Sequence, residues 1–131
     1  MTRLPRIILG LTAVGFLGFG FAFTLRPDAM AALIEIALPS ATARVDFAAT
    51  YGGFELGFGA FLLFCARRPG WLEPGLLAAT LALAGFAAIR LVGIVASGGN
   101  GRPAIYMALA LEILGVLVNG WALLILRQSR T

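Results

Sequence analysis

No histidine and no lysine occur in the 131 residues, there is one cysteine, and charged side chains make up only 12% of the chain. Each shortage closes off a chemistry. Without histidine, the usual transmembrane haem ligands and the imidazole part of common metal and nucleophilic sites are missing. Cys65 alone cannot form a disulfide within the chain, a paired-thiol relay or an iron–sulfur ligand set, and it reads as a small hydrophobe. Neither a Walker loop nor a glycine fingerprint between strand and helix is present, so the 17 glycines read as packing or turn residues. No metal or other cofactor is expected, and no catalytic set stands out.

What the chain does contain is apolar: 60% hydrophobic residues and a mean hydropathy of +0.96 belong to the membrane class. Residues 7–25, 48–66, 75–96 and 104–126 each approach the ~20 apolar residues that a ~30 Å hydrocarbon layer requires. Lipid offers unpaired backbone groups no partner, so these segments should be helices, and the alternating segments of a transmembrane barrel are absent. The expected fold is all-α: an integral membrane four-helix bundle forming one transmembrane domain over 1–131. The first segment admits two readings. It is either an uncleaved span or a signal peptide, given Arg3, Arg6 and the small residues around position 21.

Arginines set the expected orientation. Arg3, Arg6, Arg67, Arg68, Arg127 and Arg130 fall on one side of the four spans and Arg26, Arg44 and Arg102 on the other. A multi-pass protein of the bacterial inner membrane with both termini cytoplasmic follows as the expectation. The formal charge of +4 then reflects topology and anionic lipid, and no nucleic-acid partner is expected.

Three connections join the spans. Within the first, PDAMAALIEIAL places Pro27 in a first helical turn and predicts a short helix at the outer interface, ended by Pro39. Ser40 is positioned to cap the helix that follows. The second connection, RRPGWLEP, and the third, SGGNGRP, carry the proline and glycine that stop one helix and start the next, which forces antiparallel neighbours.

Depth can then be assigned to the polar residues inside the spans. Glu55, Arg90 and Glu112 each lie about two turns from the outer end of their spans, using ~1.5 Å per residue. An unpaired charge there costs about 2.5–3.5 kcal/mol even on the insertion scale, so an arginine between two carboxylates is the expected arrangement. If all three are ionised the trio keeps one negative charge, which a proton on one carboxyl would remove. Tyr51 falls on the stripe of Glu55 at helical spacing, while Gly53 and Gly57 form a small-residue spacing suited to close helix contact. Span four repeats the idea with Ala104, Ala108, Glu112, Gly115 and Asn119. Asn119 either extends a polar path or makes a packing hydrogen bond.

The stretch YGGFELGFGAFLLF, followed by a span with an embedded arginine, resembles a family of small bacterial four-helix membrane proteins known as a domain of unknown function. The resemblance rests on Tyr51, Gly52, Gly53, Glu55, Gly57 and Arg90 and brings no reaction with it. More distantly the chain is similar to the DoxX-like group of small four-helix membrane proteins, some linked to quinone or thiol oxidation.

Three functional classes stay open. The Glu55, Arg90 and Glu112 cluster, with Tyr51 and Asn119, can bind or conduct a small polar, cationic or amphiphilic ligand. Its charges can instead fix helix register in a structural or accessory subunit. Carboxylate acid–base chemistry on a lipid or quinone is the third class. The partners to expect are membrane lipids, a small amphiphile or cation, further copies of the chain, or another membrane protein.

Overall fold

A computed structural model describes residues 3–129. Arg130, counted above in the charge asymmetry, lies outside them. Four helices are long and apolar enough to cross a membrane: span one is Arg3–Leu25, span two Ala41–Arg67, span three Pro69–Ala96 and span four Pro103–Gln128. Each extends beyond its expected hydrophobic segment, because polar end turns remain helical outside the apolar run. Short connections make successive spans antiparallel, so the bundle has a terminal end, with both ends of the chain and the turn at Pro69–Trp71, and a distal end.

Local chemistry sets the joins. Span two starts where Ser40 accepts a hydrogen bond from the Ala43 amide at 3.1 Å, the N-cap its sequence predicts. Span three ends at Gly98 and Gly99, with φ of 70° and 76°, a conformation glycine adopts without strain. The Tyr106 hydroxyl donates to the Gly99 carbonyl and ties this turn to span four.

A separate short helix, Pro27–Leu33, lies between spans one and two at the distal end. It stops well before Pro39, correcting the expected boundary: the chain turns at Ile34, and Glu35 takes a left-handed φ of 58°. Its Ala31, flanked by Met30 and Ile34, packs on Phe23 and Phe47 in a small distal cluster. Asp28 on its polar side receives the Arg44 Nε at 3.0 Å.

The main core lies in the terminal half. Leu9, Leu62, Leu72, Leu76 and Leu126 are fully buried there, drawn from all four spans. Span one contributes along nearly its whole length, through a buried face of Leu9, Ala13, Phe16, Gly20 and Phe23. Span three departs in the other direction. Only 6% of its apolar window is buried within the protein, against 28%, 22% and 28% for spans one, two and four. Its buried residues, Leu72, Gly75, Leu76 and Ala79, all belong to the terminal half.

Span two contains the feature that resets its faces. Ala48–Gly53 is a π-helical segment. Such a turn holds one residue more than an α-turn, so everything before it is rotated by roughly 100° relative to an uninterrupted helix. The close approach to span one is made by Gly52 and Gly59, which stand seven residues apart and so share one face of the helix. A Cβ on Gly59 would come within 3.0 Å of the Leu17 backbone nitrogen, and one on Gly52 would collide with Thr24. Gly53 and Gly57 face open space, so the small-residue spacing read from the sequence is not the packing face.

Candidate functional site

Arg90 and Glu112 meet in the distal half. Glu112 belongs to the inward stripe of span four, and Arg90 reaches it from span three. The Arg90 Nε donates to Glu112 Oε1 and Oε2 at 3.1 and 2.9 Å, and Nη2 donates to Oε1 at 2.7 Å. Side-chain exposures of 25% and 11% make this a half-buried, bidentate pair. Nη1 makes no hydrogen bond among the described residues, so one edge of the guanidinium keeps a donor for something else.

Glu55 stands apart from that pair. No ion pair or hydrogen bond among the described residues joins it to Arg90, and its Oε2 is buried without a hydrogen-bond partner. It lies on the stripe continued by Phe58, Leu62 and Cys65, which feeds the main core. A carboxyl oxygen held there without a donor is a costly feature that requires an explanation.

Tyr51 lies in the π-segment, one turn before Glu55. Its ring stacks on Phe23 at 5.5 Å and packs against Phe47 at 4.7 Å, joining spans one and two beneath the short distal helix. Asn119 is fully buried in the terminal half. Its Nδ2 donates to Thr12 Oγ1 at 3.0 Å and to the Gly115 carbonyl at 2.9 Å, a cross-span packing bond between spans four and one.

Two apolar clefts flank Arg90. One, of about 310 Å³, lies under the turn after the short distal helix and is lined by Ile34, Glu35, Ile94, Arg102 and Ile105 as well as Arg90. The other, of about 590 Å³, is more open and runs along span three past Phe54, Leu81, Gly85, Phe86 and Ile89 to the same arginine. Sequence reasoning found Arg90 but not this lining, because Phe54 and Phe86 look like any lipid-facing aromatic until the separation of spans two and three is known. It counted Arg102 only among the orientation charges and left Glu35 inside the expected distal helix. They form an ion pair, with 2.5 Å between Arg102 Nε and Glu35 Oε1.

Among the described residues, no group of three His, Cys, Asp or Glu side chains converges as metal ligands. What the site offers instead is a guanidinium donor edge, a partnerless carboxyl oxygen and membrane-open apolar walls. That combination suits the polar head and apolar tail of an amphiphile.

A four-span membrane protein with a distal polar pair is thus the class that fold and site define. The chain belongs to the family described as Domain of unknown function (DUF4345), whose model matches residues 4–123. No curated protein and no solved structure matches it.

Proposed function

We propose that this protein binds a small polar-headed amphiphile from the membrane in the distal half of its bundle. The observation that carries the reading is the position of Arg90: fixed by Glu112 through two of its nitrogens, it lines both clefts with a donor edge still free. Glu55 adds an acceptor of similar depth whose buried oxygen lacks a donor. Binding is favoured over conduction because the terminal half is filled by Leu9, Leu62, Leu76 and Leu126, and its polar pair, Asn119 with Thr12, is mutually satisfied.

The inner membrane is the location this reading assigns, with the terminal end cytoplasmic. Arg3, Arg6, Arg67, Arg68 and Arg127 at that end support it. The distant DoxX-like resemblance fits a small four-helix protein whose ligand is membrane-soluble.

The test is reconstitution in lipid nanodiscs with native mass spectrometry and thermal-shift titration of single-chain amphiphiles. The paired Arg90→Met, Glu112→Met variant, which removes both charges together, should retain its helicity and lose the ligand-induced shift. An undiminished shift in that variant would sink the proposal, as would proton or cation flux in liposomes that depends on Glu55.

A second reading has its own observation. Span three leaves Leu81, Ile89, Val92 and Val95 exposed, a helix face on which another membrane protein can pack in an accessory-subunit role. Recovery of a stable heteromeric complex in gentle detergent, with the clefts then closed to amphiphiles, would favour it.

A further inference from the structure

The cleft under the distal turn is closed by a charge pair of its own. Glu35 occupies a left-handed backbone position, φ 58°, which side chains other than glycine adopt with strain. Its carboxylate is held there by Arg102, the residue preceding the first turn of span four. Arg90 lies deeper on the cleft wall, seven residues or about 10 Å of helix before Ser97 on its rim. Each arginine is thus neutralised by one carboxylate, and the two pairs are unequal. Glu112 is 11% exposed and held by three hydrogen bonds, whereas Glu35 is 59% exposed and held by one contact from a strained turn.

Of the two carboxylates, Glu35 is the one an incoming anion can replace. Its release would relax the backbone and leave Arg102 as an uncompensated cation over an apolar cleft. The short helix would stay anchored meanwhile, since Asp28 remains bound to Arg44 and Ala31 remains packed on Phe23 and Phe47. Only the turn at Ile34 and Glu35 has to move.

We propose that the distal cleft takes a single-chain amphiphile with an acidic head, whose carboxylate or phosphate displaces Glu35 from Arg102 while its chain runs along span three past Arg90. Glu35 is then a built-in stand-in for the ligand's head and a latch over the cleft. The chain has room: from Leu81 to Ser97, the span three residues that bound the two clefts, the helix rises about 24 Å. That exceeds half of a ~30 Å hydrocarbon layer, the depth one lipid chain fills. This inference rests on the amphiphile-binding reading above and refines it: the acidic head is placed at Arg102 instead of at the Arg90 donor edge, and Glu35 is added as a latch.

The experiment uses the full chain in phosphatidylcholine nanodiscs at pH 8, titrated with oleic acid, oleyl phosphate, oleyl alcohol and inorganic phosphate. The two acidic amphiphiles should bind about tenfold tighter than the alcohol, as a charge-assisted contact predicts, and inorganic phosphate should not bind. Glu35→Gln should tighten oleate binding several-fold, and Arg102→Gln should weaken it about tenfold while leaving the alcohol unchanged. Both side chains are largely exposed, so circular dichroism should find both variants folded. Equal affinity for acid and alcohol overturns the inference but spares the amphiphile reading, as does binding indifferent to both substitutions. Binding of inorganic phosphate as tight as that of oleyl phosphate overturns the role of the chain, and failure of every amphiphile to bind sinks both proposals.

Discussion

Leu9, Leu62, Leu72, Leu76 and Leu126 interlock across all four spans in the terminal half, whereas in the distal half span three has no buried residue and is tied to span four by the Arg90 ion pair. The two halves are made from the same helices and held by different forces. Between helices in lipid the hydrophobic effect contributes little, because acyl chains are as apolar as leucine; close packing and polar contacts carry the association instead. Packing dominates the terminal half. The distal half depends on one bidentate ion pair, an aromatic group around Tyr51 and the ties of a short surface helix. A half held by so few contacts has open clefts, and this is why the ligand readings concentrate there.

The largest expected effect is at the ion pair. Arg90→Met alone strands Glu112 in the bundle and should cost about 3–5 kcal/mol, the scale for breaking a buried pair by removing one partner. Adding Glu112→Met should recover most of that loss, because two matched apolar side chains leave no charge uncompensated. Reversible unfolding in mixed micelles measures both. A double variant as unstable as the single one would mean that the distal half needs the charges themselves.

Next comes a matched pair of truncations on one helix. Leu76→Ala, in the terminal core, should cost about 2–5 kcal/mol through the cavity it leaves. Leu81→Ala, little more than one turn further along span three and 62% exposed, should cost under about 0.5 kcal/mol, the range of surface substitutions. Similar losses at the two sites would erase the distinction between the halves.

Glycines sharpen the comparison within span two. Gly59→Ala pushes a methyl group against the Leu17 and Ala13 backbone and should destabilise by about 1–3 kcal/mol. Gly57→Ala meets nothing within 4 Å and should stabilise the helix by about 0.5–1 kcal/mol. The opposite outcome would restore the small-residue face read at Gly53 and Gly57.

That reversal also marks what could be read from the residues alone. The spans, the Ser40 cap and the glycine turn at Gly98 and Gly99 were legible because each follows from local composition or a single backbone requirement. Counting depth placed Arg90 and Glu112 at one level, and they pair. Direction around a helix was less secure. Gly52 and Gly59 share one face of span two as readily as Gly53 and Gly57 share another, and nothing in the composition says which of the two glycine faces meets span one. The end of the short distal helix was illegible for a related reason: nothing in LIEIALP announces that Glu35 turns left-handed against an arginine 67 residues later in the chain.

Asn119 offers the smallest and most discriminating test. If it belonged to a polar route through the bundle, removing it would change permeation and leave stability nearly untouched. Its hydrogen bonds, to Thr12 on span one and to the Gly115 carbonyl on its own span, fit instead a clasp inside the packed half. Asn119→Leu should therefore cost only about 0.6 kcal/mol, the average for a polar contact between membrane helices, and Thr12→Val should cost about the same. Because the two side chains share one interaction, the double variant should lose no more than either single change, which a double-mutant cycle would read as coupling of similar size. Additive losses would show that Asn119 serves something other than Thr12, and the polar route would regain its claim on the terminal half.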